Sequence, residues 1–232
     1  MLISEIGQNY LGDYCLAQKY VNKLCDVEQL DGLTFQVREK QHRERKPHLY
    51  FDFKNYKELC DITKKKDKLF GVALVDDELL SFFEDVGVDF YKVIRDGVYN
   101  RGLLRKLGET KKPIIISLGV CSGDDIEELT KFLSCVPGDF TLLYTNRDSV
   151  KIEDLDLSSL NNLKNHWTQV GYGSHCEDPN NLLLACSYEP KDILFYVKDD
   201  DRDKKYPDDV WAIELNQVSD ILKKVKQMEK NK

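Results

Sequence analysis

The stretch SEIGQNYLGD, at residues 4–13, decides the fold of this chain. It begins within a short apolar run, residues 2–5, that has the composition of a buried β-strand. It then passes through a glycine turn to Asp13, whose side chain can cap the first turn of a helix. Glu5 and Asn9 therefore stand where the strand ends and the helix has not yet begun. A carboxylate and an amide at the carboxyl end of a buried strand are typical of the catalytic end of an α/β barrel.

The same alternation of strand and helix continues along the whole sequence. Short runs rich in β-branched and aromatic residues predict strands at 2–5, 33–37, 69–74, 90–94, 113–118, 140–145, 170–172 and 192–197. Amphipathic stretches predict helices at 13–26, 53–66, 76–86, 101–110, 123–134, 154–165, 178–188 and 214–230. The side chains of Asp13, Asn55 and Asp124 are expected to cap three of these helices. Eight alternating units favour a closed (β/α)8 TIM barrel over an open sheet. No linker divides residues 1–232, so a single domain is expected.

The composition predicts an ordinary soluble protein with no attraction to polyanions. The chain has 232 residues, of which 41% are hydrophobic and 32% charged. This length and hydrophobic content are enough to form one large buried core. Its formal net charge of -7 gives no general attraction for nucleic acid or an anionic membrane. It has no apolar run of the roughly 20 residues needed to cross a bilayer, and its start lacks the features of a signal peptide. A cytoplasmic protein without nucleic-acid or membrane partners is expected.

Seven cysteines are scattered through apolar or helical contexts, and none forms a C-x-x-C pair. Such an odd, dispersed set predicts reduced and mostly buried thiols rather than a disulfide framework. Cys176 differs from the others only in standing beside His175.

Two runs of charged residues interrupt the alternation. They read REKQHRERKPH at 38–48 and DDDRDKKYPDD at 199–209. Each follows a predicted strand, so both are expected at the catalytic end of the barrel. Each is either a solvated loop or part of a lid or an anion-attracting rim, and the sequence leaves both interpretations open.

A series of short motifs, in order and at barrel spacing, resembles the N-acetylneuraminate (sialic acid) synthase family. The opening segment resembles that family's A-E-I-G-x-N-H-x-G. Four later segments resemble its K-F-Q, G-V-D-x-Y-K-I, K-P-I-I-x-S-T-G and V-G-Y-S-D-H motifs: TFQ at 34–36, GVDFYKV at 87–93, KPIIISLG at 112–119 and VGYGSH at 170–175. Because the order is kept across nearly the whole chain, we identify it as a member of that family.

The resemblance implies a phosphoenolpyruvate-dependent synthase. Members of the family condense phosphoenolpyruvate with N-acetylmannosamine or a related aminosugar to make a nonulosonic acid, and a divalent metal, usually manganese, activates the sugar aldehyde. By position, Glu5 and Lys92 resemble catalytic residues, and His175 resembles one of two metal-binding histidines. The residues retained at substrate-binding positions are Asn9, Gln36, Asp76, Ser117 and Asp208.

Other family positions carry different residues. Thr34 replaces the lysine of K-F-Q, Gly97 occupies the position of a second active-site glutamate, and FYV at 195–197 replaces an E-K-H that holds the second metal histidine. One imidazole binds a catalytic divalent ion poorly without further ligands. Arg95 and Arg147, in contrast, are new cations at strand ends, and a guanidinium fork can bind a phosphate or carboxylate of the substrate at two points.

Three functions therefore stay open. The chain is a synthase of the family's type, a catalytically degenerate barrel that binds a sugar or a partner synthase, or a barrel aldolase that uses Lys92 as a Schiff-base amine. The protein is also expected to lack the family's C-terminal antifreeze-like domain, because residues 1–232 are accounted for by the barrel. A homodimer or a partner protein is therefore expected to complete the sugar site.

Overall fold

Eight parallel strands close into a barrel in this computed structural model, which describes residues 1–201 and 203–230. The strands are β1 (Leu2–Gly7), β2 (Gly32–Gln36), β3 (Leu69–Leu74), β4 (Phe90–Val93), β5 (Pro113–Ser117), β6 (Asp139–Thr145), β7 (Val170–Gly173) and β8 (Ile193–Lys198). Neighbours pair in chain order, and β1 also pairs with β8, which closes the ring. The prediction of a (β/α)8 TIM barrel is confirmed. A short ninth strand, β9 (Ile213–Glu214), extends β8 outside the ring and was not predicted.

Helices cover the outside of the barrel. They are α1 (Tyr14–Cys25), α2 (Lys40–Arg45), α3 (Asn55–Lys64), α4 (Leu80–Val86), α5 (Arg101–Glu109), α6 (Gly123–Leu133), α7 (Ser158–Lys164), α8 (Asn181–Cys186) and α9 (Val218–Lys230). Each predicted helical range contains one of them. Only α2 was not predicted, because it buries no residue and so has no apolar periodicity. Within the described ranges, no helix is long and apolar enough to span a membrane.

Of the three helix N-caps predicted from the sequence, one is confirmed by the structure. Asp13 caps α1 as predicted, because its side chain accepts a backbone N–H of the first turn at 3.1 Å. Asn55 is instead the first residue of α3, and Asp124 lies inside the first turn of α6. Ser122 caps α6, and it forms a reciprocal capping box with Asp125. Several capping residue types follow one another in these turns, so composition alone does not decide which one occupies the cap.

None of the seven cysteines forms a disulfide bond, in agreement with the sequence. Four of them are buried: Cys25, Cys60, Cys176 and Cys186. Burial raises the pKa of the Cys176 thiol, so its position beside His175 does not make it a reactive thiolate.

The side chains inside the barrel form an apolar layer beneath a polar one. The apolar layer is a buried cluster separate from the packing between sheet and helices: Ile3, Phe90, Ile115, Leu143 and Leu194. Strand side chains alternate between the two faces of a sheet, so the residue two positions further along each strand also points inward. Those residues are Glu5, Lys92, Ser117, Thr145 and Tyr196. Hydrophobic packing thus supports a polar floor at the carboxyl ends of the strands, where barrel enzymes carry their chemistry.

Candidate active site

A polar cleft of about 730 Å³ opens above this floor. Its volume lies within the range of small-molecule sites. The ends of all the barrel strands except β3 contribute to its lining. Seven of the ten residues predicted for the site line the cleft: Gln36, Lys92, Arg95, Ser117, Arg147, His175 and Asp208.

Glu5 lies beneath the lining of the cleft, in a buried pair with Lys92. The two residues are 1% and 4% exposed, and Lys92 Nζ donates a hydrogen bond to Glu5 Oε2. The pair joins β1 to β4 across the interior of the barrel. Glu5 Oε1 has no hydrogen-bond partner. Because removing two charges from water is costly, such a pair persists only when its partners are held in close contact.

Asp208 approaches this pair from the loop after β8. Its Oδ2 is shielded from solvent and accepts no hydrogen bond. Burial and the negative charge of Glu5 raise the pKa of Asp208 to about 7, while the charge of Lys92 acts in the opposite direction. A carboxyl group of this kind exchanges its proton near neutral pH.

Asn9 faces the protein rather than the cleft. Its Nδ2 donates to the carbonyl of Val197 at 2.7 Å, and its Oδ1 accepts from the backbone N–H of Asp208 at 3.1 Å. Both functional atoms of the amide are therefore used to fix the loop after β8 against the end of β1. In this structure Asn9 positions Asp208 instead of contacting the cleft.

Gly7 allows Asp208 to come this close. Its φ is +59°, in the left-handed region, and a Cβ on this residue would lie 2.9 Å from Asp208 Oδ2 and 3.2 Å from the ring of Tyr196. A side chain at this position would therefore be strained and would also collide with the site.

Asp76 is the third predicted residue that does not line the cleft. Its Oδ1 accepts the backbone N–H of Glu78 at 3.2 Å, in the turn before α4. This contact is of the Asx-turn type, in which an aspartate bonds to the chain two residues further on.

His175 stacks on an aromatic ring instead of joining a group of metal ligands. Its ring centroid lies 4.6 Å from that of Trp211, with an interplanar angle of 22°. Tyr196 contacts it from the side, at 5.5 Å. Burial and the charge of Lys92 lower the pKa of His175 to about 4, so the imidazole is neutral at pH 7.

The metal ion implied by the family resemblance does not fit this arrangement. Among residues 1–201 and 203–230, no three His, Cys, Asp or Glu side chains are grouped so that they could hold a metal ion. Lys92 carries a positive charge on the side of the cleft where His175 stands.

Cations surround the opening of the cleft. Arg95 and Arg147 are exposed and line it, with Lys92 on the floor between the strands. Arg95 has a φ of +52°, a conformation that residues other than glycine adopt rarely. The hydroxyls of Ser117 and Thr145 lie 3.4 Å apart on the floor nearby. Guanidinium, ammonium and hydroxyl donors together suit a carboxylate or a phosphate.

The first charge run, 38–48, contributes residues that were not predicted individually. Arg38, His42 and Lys46 line the cleft. Two contacts hold α2 at the cleft through its residue His42. Gln8 Nε2 donates a hydrogen bond to the hydroxyl of Tyr50 at 2.6 Å, and that hydroxyl lies 2.8 Å from His42 Nδ1. The sequence signal was the clustering of cations after β2, which left a solvated loop and a rim both open, and the structure places three of these residues at the cleft.

Asn146 and Trp211 are among the other lining residues that were not predicted. Asn146 lines the cleft beside Arg147. The sequence analysis singled out its neighbour Arg147 as a new cation at a strand end and did not name Asn146. Trp211 follows the second charge run, and no periodicity or motif in the sequence indicated that it would return to the barrel mouth.

Fold and site together define a (β/α)8 barrel with a cleft lined by cationic side chains at the carboxyl ends of its strands. The comparison with protein families makes this more specific. Residues 13–232 match the NeuB family, and the chain belongs to that family.

Two of its relatives carry the names of synthases. The chain is 25% identical over 197 residues to N-acetylneuraminate-9-phosphate synthase of Mus musculus. The alignment covers 75% of this chain and 55% of that protein. It is 24% identical over 262 residues to N,N'-diacetyllegionaminic acid synthase of Campylobacter jejuni. That alignment covers 99% of this chain and 76% of that protein. The chain thus spans about half the length of the mouse relative.

A solved structure shares the fold almost throughout. N-acetylneuraminic acid (sialic acid) synthetase from Leptospira borgpetersenii, crystallised in complex with citrate, aligns with a TM-score of 0.90 at 22% sequence identity. The alignment covers 99% of this chain and 84% of that one. At this level of identity the likeness concerns the fold.

Proposed function

We propose that this protein is a sialic acid synthase-like enzyme that condenses phosphoenolpyruvate with the aldehyde of an N-acylaminosugar, such as N-acetylmannosamine, to give a nonulosonic acid. The proposal rests on one cleft, lined by Lys92, Arg95 and Arg147, at the catalytic end of a NeuB-family barrel. Phosphoenolpyruvate carries both a phosphate and a carboxylate, so a site for it needs cations at more than one point.

The side of the cleft after β4, β5 and β6 is assigned to phosphoenolpyruvate. Arg95 and Arg147 pair with its two anionic groups, and the Ser117 hydroxyl donates to one of them. This binding turns the enol carbon toward the aldehyde. The carbon–carbon bond then forms, water adds to the carbon that bore the phosphate ester, and loss of phosphate leaves the keto acid.

The side of the cleft after β1, β2 and β8 is assigned to the sugar. Gln36 and Asp208 offer an amide and a carboxyl group to its hydroxyls, and Trp211 offers an apolar ring to its carbon face. Glu5 lies beneath, where it holds Lys92 in place through their buried pair.

The test measures phosphate release from phosphoenolpyruvate in the presence of N-acetylmannosamine. Arg95→Gln and Arg147→Gln are each expected to raise KM for phosphoenolpyruvate about tenfold or more, which corresponds to about 1.4 kcal/mol. Arg45→Gln is the matched control, because Arg45 is an exposed arginine of α2 outside the cleft lining. If wild-type protein binds phosphoenolpyruvate in calorimetry but releases no phosphate with any acylaminosugar, the catalytic proposal fails.

A barrel that binds these ligands without turnover is the second candidate. The observation that favours it is the position of Glu5, which is 1% exposed and outside the cleft lining. A general acid or base must come within hydrogen-bond reach of the reacting atoms, and here Glu5 Oε2 is occupied by Lys92. Such a barrel would retain the ligand affinities and serve a partner synthase.

An aldolase mechanism through Lys92 is disfavoured by the same pair. The Nζ atom is bound to a buried carboxylate as a charge partner, whereas Schiff-base formation needs a free amine. Borohydride treatment with a carbonyl substrate is expected to leave Lys92 unmodified in peptide mass spectrometry. A reduced adduct on this residue would restore the aldolase alternative.

A further inference from the structure

The buried end of Asp208 lacks the counter-ion that the other charged groups on the floor of the site have. Two carboxyl groups, Glu5 and Asp208, share the neighbourhood of one ammonium, Lys92. Lys92 donates a hydrogen bond to Glu5. No described residue forms an ion pair with Asp208, and its Oδ2 has no hydrogen-bond partner although it is shielded from solvent.

The groups packed around Asp208 explain why it does not ionise readily. Glu5 on β1 contributes a negative charge, and the positive charge of Lys92 on β4 is already paired with it. Tyr196 on β8 presents a ring whose own pKa is raised well above its ordinary value by burial, so it stays neutral. An unpaired carboxylate in such a place is unfavourable, and a bound proton removes its charge.

Asp208 also has access to the cleft. It lines the cavity, whereas Glu5 does not. Asp96 and Asp148 line the cavity as well, but both side chains are exposed at its rim. Within the described residues of the lining, Asp208 is therefore the carboxyl group that burial keeps protonated.

We propose that Asp208 carries a proton in slightly acidic to neutral solution and donates it to the carbonyl oxygen of the acceptor aldehyde, the role that a divalent cation would otherwise fill. This inference rests on the proposed synthase function. As the enol carbon bonds to the aldehyde carbon, the electron pair of the C=O bond moves onto oxygen. That oxygen takes the proton of Asp208 and becomes a hydroxyl group. The water that later adds to the former enol carbon releases a proton, which returns Asp208 to its acid form.

The proton can be measured in the protein without any substrate. Infrared difference spectra between wild type and Asp208→Asn are expected to contain the C=O band of a protonated carboxyl group, which disappears as the pH rises through about 7. Asp148→Asn, at an exposed carboxylate of the same cleft, is the matched control and should show no such band. Absence of the band in slightly acidic solution overturns the inference.

The catalytic part is tested by kinetics. Asp208→Asn keeps the shape of the side chain but has no acidic proton, so kcat is expected to fall about 100-fold or more while KM for phosphoenolpyruvate changes little. The wild-type kcat should decrease as the pH rises through about 7. Wild-type activity should also be unchanged after treatment with a chelator. An unchanged kcat in Asp208→Asn, or loss of wild-type activity to the chelator, contradicts the inference.

The two proposals fail in different ways. If the infrared band is present but wild type never releases phosphate from phosphoenolpyruvate, the synthase function is wrong, and the proton transfer fails with it. If phosphate is released but the band is absent, the synthase function stands and the assignment of the proton to Asp208 is wrong.

Discussion

Burying the charge of either Lys92 or Glu5 alone would destabilise the folded protein, and the ion pair between them offsets that cost. Lys92→Met leaves the Glu5 carboxylate buried without a cation, so we expect the free energy of unfolding to fall by about 3–5 kcal/mol. Urea denaturation measures this change. The double variant Glu5→Gln with Lys92→Met removes both charges and should recover most of the loss.

A surface pair provides the matched control for this change. Lys131 and Glu127 on α6 lie 3.7 Å apart, and both are largely exposed. Lys131→Met is expected to change stability by less than about 1 kcal/mol. A double variant at the buried pair that is no more stable than Lys92→Met alone would contradict our account of the pair.

His175 is expected to make the fold sensitive to acid. Its pKa is about 4 in the folded protein and 6.5 ordinarily, so the unfolded chain takes up a proton first as the pH falls. The stability that depends on neutral His175 is therefore complete above about 6.5 and is lost progressively down to about 4. His175→Phe retains a ring against Trp211 and should flatten the pH dependence of unfolding in this window.

The control for this prediction is His166→Gln, because His166 is exposed and should leave the slope unchanged. Asp208 acts in the opposite sense: its raised pKa adds stability at low pH that is lost as the pH rises through about 7. The comparison is therefore made between variant and wild type at each pH. An identical slope in wild type and His175→Phe would show that His175 does not titrate as described.

At the scale of elements, the turn from β1 to α1 shapes the site. Gly7→Ala is expected to lower stability by about 1–2 kcal/mol, because an alanine is strained at a φ of +59°. It should also push Asp208 away, since the added Cβ would lie 2.9 Å from Oδ2. Activity should therefore fall more than stability alone explains, measured as kcat under conditions in which the variant is folded.

Gly123→Ala is the matched control for that change. A Cβ added to Gly123 would meet no atom within 4 Å, and this residue begins α6, where alanine is a better helix former. The substitution is expected to be neutral or slightly stabilising, with kcat unchanged. Equal effects of the two substitutions would mean that the turn is less constrained than its geometry indicates.

Elements with a buried face were the predictable ones. Each barrel strand was located from its apolar run, and β3 has the predicted bounds, Leu69–Leu74. Helix α2 and strand β9 were missed because a short exposed helix and a two-residue strand carry no periodic pattern. Caps failed for a similar reason, because neighbouring residues in one turn have the same capping chemistry.

At the scale of the whole molecule, barrel closure decides which side chains meet. Glu5 and Lys92 are 87 residues apart in the chain and become a pair only because β1 and β4 face each other across the ring. The strand-end positions of these residues were predictable, since parallel strands end on the same side. No local pattern encodes contacts between distant strands, so three contacts could not be predicted: the Glu5–Lys92 pair, the stacking of His175 on Trp211, and the hydrogen bonds that turn Asn9 away from the cleft.

The stacking of Trp211 on His175 also gives the protein a spectroscopic reporter. The chain has two tryptophans, and the other, Trp167, donates its indole N–H to the carbonyl of Phe140 at 2.8 Å, near the amino end of β6. After Trp167→Phe, all indole fluorescence would arise from the barrel mouth. A ligand that displaces the imidazole, or acid that charges it, would change the emission directly, so occupancy could be followed in real time without a label.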